Sequence, residues 1–301
     1  MNKQVCGKFM NVWEFFPDKL NEGKYEFINN NFLDGYCVSY SCDNDFEKIS
    51  AGLFYLLNQF FGPSGLFKNN AKSNPYIVNY IMIWLSYMLN LKENVSNNSL
   101  KYFYNTDIQN NQKYTNSIAG FTEYNNYKEL LDDKKIVNID INNMSKFYDA
   151  FKSLCTMYYE FNGDNKKCKK YLDDDSVDNE FVKNYKKLKG DSSISENSSY
   201  KQILSTLLTD YDNFKNLCKE AKSSNISSPS EVATEISPLS SGNTSSSSSI
   251  GNKLFTVLSI FGAIAFLLGI SYKYSLFGFR KRFQKQKLRE KVKNIKKRIN
   301  R

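Results

Sequence analysis

Apolar residues recur along the first two-thirds of the chain at the three- and four-residue spacing of helices that bury one face. After Asp45, the residues Phe46, Ile49, Leu53, Leu57 and Phe60 share a face, and Gly62-Pro63 closes the run. Asn74-Pro75 supplies a cap and a first-turn proline for the segment YIVNYIMIWLSYMLN (76–90). That segment is apolar on nearly every side, yet too short and tyrosine-rich for a bilayer span, so it is predicted as the central core helix. Met144, Phe147, Phe151, Leu154 and Tyr158 predict a third helix; Tyr200, Ile203, Leu207, Tyr211, Phe214 and Cys218 predict a fourth. Alternating strand patterns bounded by turn dipeptides are hard to find, so the fold class is all-α. A domain of about 220 residues buries roughly 70–75% of its unfolded surface, which is enough for a self-sufficient core.

The pattern then breaks. From Ser223 to Asn252, thirteen of thirty residues are serine, with Pro229, Pro238 and the run Ser245–Ser249. So little apolar surface cannot offset the entropy of ordering, and the segment reads as a flexible stalk with hydroxyls that could carry O-linked sugar. Leu254–Tyr272 follows, nineteen residues without a charge. As a helix it is about 28 Å long, close to the ~30 Å hydrocarbon core, and predicts a single transmembrane helix. Beyond it, Phe279, Phe283, Leu288, Val292, Ile295 and Ile299 give the basic tail a helical period. The N-terminus, MNKQVCGKFMNVWEFF, has neither an apolar h-region nor a small-residue cleavage site, so the segment near residue 260 is the candidate internal signal.

Charge changes the picture only at the end of the chain. The net charge of +10 resolves into +12 over residues 273–301 and −2 over residues 1–272, and all five arginines lie in the tail. A nucleic-acid partner is therefore not expected of the main domain. The basic flank orients the span, placing the tail in the cytosol and the N-terminal domain across the membrane. Arg280, Lys281, Arg282, Lys285, Lys287 and Arg289 are the candidate lipid-facing residues, each worth about 1 kcal/mol near an anionic surface. The same residues serve equally as a topology signal. The expected organisation is a helical extracytosolic domain at 1–222, a stalk at 223–252, a transmembrane helix at 253–273 and a cytosolic tail at 274–301.

Six cysteines, Cys6, Cys37, Cys42, Cys155, Cys168 and Cys218, all precede the apolar segment. An even number on one side of a span suggests disulfides in an oxidising compartment, with fifteen connectivities open; buried free thiols are the alternative. The chain has no histidine, which excludes His-based triads, HExxH zinc sites and facial-triad iron. Phosphate-binding glycine loops are absent too. Asp173-Asp174-Asp175 reads as a solvated turn or cap rather than a calcium loop, and Asp132-Asp133 with Lys134-Lys135 as a surface loop. Sequons occur at Asn94, Asn97, Asn143, Asn197, Asn225 and Asn243, most of them expected by chance in so Asn- and Ser-rich a chain. No catalytic residue, cofactor site or metal site is expected.

Several longer segments carry a resemblance: YCVSYSC (36–42), FEKISAGLFYLLNQF (46–60), YIVNYIMIWLSYMLN (76–90), FYDAFKSLCTMYYEFNG (147–163), YKQILSTLLTDYDNFKNLC (200–218) and FGFRKRFQKQKLREKVKNIKKRI (277–299). On these the chain resembles the Plasmodium interspersed repeat (PIR) multigene family, especially its rodent-parasite branch. The resemblance implies a variable antigen of blood-stage parasites, exported or displayed at the infected red cell, with roles in antigenic variation, immune evasion or host interaction. It brings no catalytic residues, only cysteines and core helices. The arginine-containing export pentamer is missing, since no arginine precedes Arg280. The expected partners are a membrane and a host-cell surface protein or antibody; the oligomeric state stays open. The location is the red-cell surface, the vacuolar membrane or the parasite membrane. The competing expectation is an intracellular membrane scaffold whose basic tail binds anionic lipid or a cytosolic partner.

Overall fold

The computed structural model describes residues 1–28, 32–37, 42–92, 100–162, 168, 171 and 179–226, the last five of these as backbone only. All belong to one compact unit, Met1–Ser230. The stalk beyond Ile226, the apolar segment at 254–272 and the basic tail, including Arg280, Lys281, Arg282, Lys285, Lys287 and Arg289, lie outside the described residues. Among the described residues no helix is long and apolar enough to cross a membrane.

The unit is helical. Its longer elements are α1 (Lys3–Phe15), α2 (Asp45–Phe61), α3 (Pro75–Asn90), α8 (Tyr148–Glu160), α9 (Glu180–Gly190) and α11 (Ser198–Ile226). The shorter α4 (Leu100–Phe103), α5 (Gln112–Thr115), α6 (Tyr127–Asp133), α7 (Ile141–Ser145) and α10 (Ser192–Ser195) fill the connections. Caps explain most of the starts. The Asn44 side chain accepts from the Glu47 N–H at 2.9 Å, while the Glu47 carboxylate reaches back to the Asp43 N–H at 2.9 Å. Asn126 and Glu129 repeat the device at α6. At α3 the first-turn proline is in place, but Asn74 does not cap. Its amide donates to the Asn70 carbonyl and its oxygen accepts from the Tyr76 hydroxyl, which leaves nothing for the helix N–H groups.

Helix α3 is buried on all sides, as an apolar segment of that length requires, with Tyr80, Ile81, Met82, Ile83, Trp84 and Leu85 each at most 1% exposed. Around it α1 runs antiparallel to both α2 and α8. Lys8 and Asn11 bond Gln59 and Tyr55 on α2. Phe9 and Trp13 meet Phe151 on α8, at centroid distances of 4.8 and 5.8 Å. The predicted third helix is interrupted after Ser145, where the chain turns through Phe147 before α8 begins. Asp132 and Asp133 end α6 instead of forming a loop. Asp132 accepts from Tyr104 and Lys128, and Asp133 from Tyr124, which offsets the unfavourable placing of carboxylates at a helix C-terminus.

One glycine is dictated by close approach. A Cβ at Gly52 on α2 would lie 2.4 Å from Cη2 of the Trp84 ring. Alanine there gains about 1 kcal/mol of helix propensity. It should lose more to overpacking, about 1–3 kcal/mol, because a buried indole cannot swing aside. Gly52→Ala is therefore expected to lower the unfolding midpoint. Gly190→Ala, where a Cβ meets nothing within 4 Å, should not.

Phenol groups supply many of the polar ties inside this core. Tyr114 shares a 2.8 Å hydrogen bond with Ser50, Tyr148 donates to Asp18 at 2.7 Å and Tyr158 donates to the Asp210 carbonyl at 2.7 Å. Burial raises the phenols of Tyr55 and Tyr127 to about 12, and pushes those of Tyr80, Tyr114 and Tyr148 well up from the ordinary value too. An unfolded tyrosine ionises near 10, so above that pH the folded state holds more protons than the unfolded state. This contribution to stability is complete below about pH 10 and is lost as pH rises toward 12. A near-ultraviolet pH titration should show the buried phenols ionising late and together with loss of helix. Ionisation of nearly all the phenols near pH 10 with the helices intact would contradict this account.

Candidate interaction surface

The cysteines are paired: Cys6 with Cys155, Cys37 with Cys42 and Cys168 with Cys218, at Cα separations of 5.0, 5.3 and 5.5 Å. The free-thiol alternative is thereby removed. The first pair joins α1 to α8 across 149 residues of sequence, the second links Cys37 to Cys42 just before α2, and the third fastens the segment before α9 to α11. On the chain-entropy argument the first contributes about 5 kcal/mol and the short-loop pair about 2 kcal/mol. Asp18 adds a tie between the end of α1 and α8. Burial alone would raise its carboxyl, but hydrogen bonds from Lys152 and Tyr148 outweigh burial and hold it below the usual carboxylate range.

Of the other residues singled out in the sequence, Asn143 sits on α7 with its amide donating to Asp140 and its oxygen accepting from Ser193. Asn197 caps α11. Asn94, Asn97, Asn243, the Asn225 side chain and Asp173–Asp175 lie outside the described residues.

Among the described residues, the surface carries concavities of which three have a well-defined lining. One, of about 310 Å³, has an apolar floor of Tyr25, Phe46, Ile49 and Leu89, with the Asp45–Lys92 ion pair at its edge. A second, of about 470 Å³, follows a polar stripe of α11, Gln202, Ser205, Thr206, Thr209 and Asn213, down to Asp210. The Asp210 oxygens are taken by the Tyr80 hydroxyl and the Met1 amino group. Burial first and Asp210 second push the Tyr80 phenol far up.

The third, of about 270 Å³, is the groove between α9 and α11. Asn179 builds it. Its oxygen caps α9 through the Val182 N–H, and its amide donates to the Tyr211 hydroxyl at 2.9 Å, which in turn donates to the Tyr171 carbonyl. Phe181 packs on Tyr211 at 4.6 Å. The floor is Phe181, Val182, Tyr185, Leu208 and Tyr211, and the remaining lining residues are Lys186, Lys189 and Lys215. Among the described residues no carboxylate lines it, though Asp212 lies close enough to raise the Tyr185 phenol after burial does. Lys215 lies 4.7 Å from the centroid of the Tyr211 ring and pairs with Asp212. The sequence reading passed over this element, although Phe181, Val182, Tyr185 and Leu188 in FVKNYKKLKG carry the helical period and the lysines fall between them.

The cysteine-clamped helical unit has solved counterparts. It is similar to a chain described as a Plasmodium PIR protein ectodomain, with 27% identity and a TM-score of 0.55, over 81% of this chain and 98% of that one. No curated protein matches the chain. The family of Plasmodium variant antigen proteins Cir/Yir/Bir matches residues 6–273, a stretch that runs from the first cysteine through the serine-rich and apolar segments of the sequence. With that match, and with the disulfide-stapled fold of a PIR ectodomain, the chain belongs to the Plasmodium variant antigen family Cir/Yir/Bir.

Proposed function

We propose that this chain is a non-catalytic variant antigen displayed by the infected red cell. Its helical domain stands on a serine-rich stalk outside the cytosol, a single helix at 254–272 anchors it, and the basic tail faces the cytosol. The observation that carries this reading is the pairing of all six cysteines in a domain that corresponds to nearly the whole of a PIR ectodomain, because such pairing needs an oxidising compartment. In this reading the disulfides hold the helices while solvent-facing positions are free to vary. That combination suits a surface under antibody selection or one that contacts host proteins.

The test is antibody raised against residues 1–220 and applied to unpermeabilised infected cells. Surface labelling supports the reading. Labelling only after permeabilisation would overturn it and favour the intracellular scaffold, in which the excess charge of the tail holds the chain on anionic lipid. Neutralising Arg280, Lys281, Arg282, Lys285, Lys287 and Arg289 would then move the protein off its membrane partner, whereas a pure topology signal would alter orientation alone.

A further inference from the structure

We infer that Asp107 is a proton-operated latch at the corner where a π-helical turn, Tyr104–Ile108, and α5 close against α2. The corner is tight while the carboxyl holds a proton and loosens when it ionises. The inference concerns the folded domain itself and does not depend on where that domain is displayed.

Position along the chain comes first. Leu100, Phe103, Tyr104 and Ile108 are buried and follow the i, i+3, i+4, i+8 spacing of a core-facing stripe. Asp107 takes the remaining place, i+7, so the period of the segment turns a carboxyl toward the core. Just there the backbone leaves the α-helical path, and the Gln109 N–H reaches back to the Tyr104 carbonyl at 2.9 Å. Single π turns are uncommon and are frequent at functional sites.

The surroundings favour a neutral carboxyl. Asp107 keeps some surface exposed, which gives protons access, but its Oδ2 is out of solvent and accepts no hydrogen bond. Among the described residues, the charged groups that act on it are Glu47 on α2, which repels its charge, and Lys113 on α5, which attracts it. Lys113 is a poor counter-ion, because burial lowers its own ammonium and that ammonium donates to the Tyr36 carbonyl. The Ser50 hydroxyl on α2 also favours the charged form, but it shares a 2.8 Å hydrogen bond with the Tyr114 hydroxyl on α5. That phenol is fully buried, and burial first and Asp107 second push it up. Burial of Asp107 outweighs Ser50 and Lys113, and Glu47 adds to it, so the carboxyl is raised from its ordinary 3.8.

Protonation removes the repulsion from Glu47 and the cost of leaving an ionised oxygen without a donor. With the folded value above the unfolded one, the stabilisation is fully present below the unfolded value and is lost as pH rises through the folded value. What loosens is set by the contacts around Asp107. Helix α5 is tied to α2 through Tyr114 and Ser50, and to the chain before Cys37 through Lys113 and Tyr36.

The test compares the full chain in detergent with Asp107→Asn, a side chain of nearly the same shape that stays neutral, from about pH 4 to about pH 8. The midpoint of Asp107→Asn minus that of the parent should grow with pH, by about 2–4 °C over the range. The subtraction removes the titrations that the two chains share. Hydrogen exchange read by mass spectrometry then locates the effect. After correction for intrinsic rates, the parent's amides at 104–115 should lose protection at the upper pH relative to those of α8, and Asp107→Asn should abolish that loss. A midpoint difference that stays constant or shrinks as pH rises would overturn the proposal, since the ionised carboxylate would then suit the site. A growing difference with protection lost evenly across the domain would overturn it too, because Asp107 would then set global stability and latch nothing.

Discussion

Replacing Cys6 and Cys155 with serine should lower the thermal midpoint of the domain by about 10–20 °C under non-reducing conditions. The pair closes a loop of 149 residues, and releasing it returns about 5 kcal/mol of conformational freedom to the unfolded chain. For a domain of this size each kcal/mol moves the midpoint by about 2–4 °C. Total stabilities of about 5–15 kcal/mol mean that the change removes a large share of what holds the domain folded. Cys37→Ser with Cys42→Ser is the internal comparison, because its loop spans only five residues and its expected shift is less than half as large. Equal shifts for the two pairs would show that loop closure is not what the disulfides contribute. Scanning calorimetry on both variants decides it.

The second large effect is Phe151→Ala. Phe151 is fully buried on α8, where Phe9 meets it edge-on at 4.8 Å, Tyr80 stacks on it at 4.8 Å and Trp13 approaches at 5.8 Å. It is therefore one of the residues at which α1, α3 and α8 meet, as Tyr148 is between Trp13 and Tyr87. Truncation of a buried phenylalanine costs about 3–5 kcal/mol, with the high end expected where rigid aromatic neighbours cannot collapse into the cavity. Phe151→Leu should recover most of that loss, since it refills the space without new polar groups. Urea denaturation measures both. A cost below about 1 kcal/mol for the alanine variant would mean that the three helices pack adequately without this contact. The effect should not simply add to that of removing Cys6–Cys155, because both changes act on the α1–α8 seam.

How much of this was legible in the sequence varied with the range of the interaction involved. Helices α2, α3 and α11 were readable because local period and termini agree: the stripe from Phe46 to Phe60 ends at Gly62, and Pro75 opens α3. Helix α1 was no less regular, with Val5, Cys6, Phe9, Val12 and Trp13 on one face, but its residues were read for targeting alone, and a missing h-region says nothing about an amphipathic helix. The failed cap at Asn74 shows the limit of motif reading. The residue type was right, but neighbouring Asn70 and Tyr76 compete for the same side chain.

The partners of Cys6 and Cys168 could not be read at all. They depend on α1 lying antiparallel to α8 and on the path from α8 to α11, which are outcomes of packing rather than of spacing. The groove likewise depends on long-range contacts, those of Asn179 and Phe181 with Tyr211. Its lysines look, in one dimension, like an ordinary solvated face.

The most direct measurement of the central claim is protease protection on intact infected cells, with one tag inside the helical domain and another in the basic tail. The account predicts that external protease removes the domain tag and spares the tail tag. Survival of both tags until the membranes are permeabilised would contradict it.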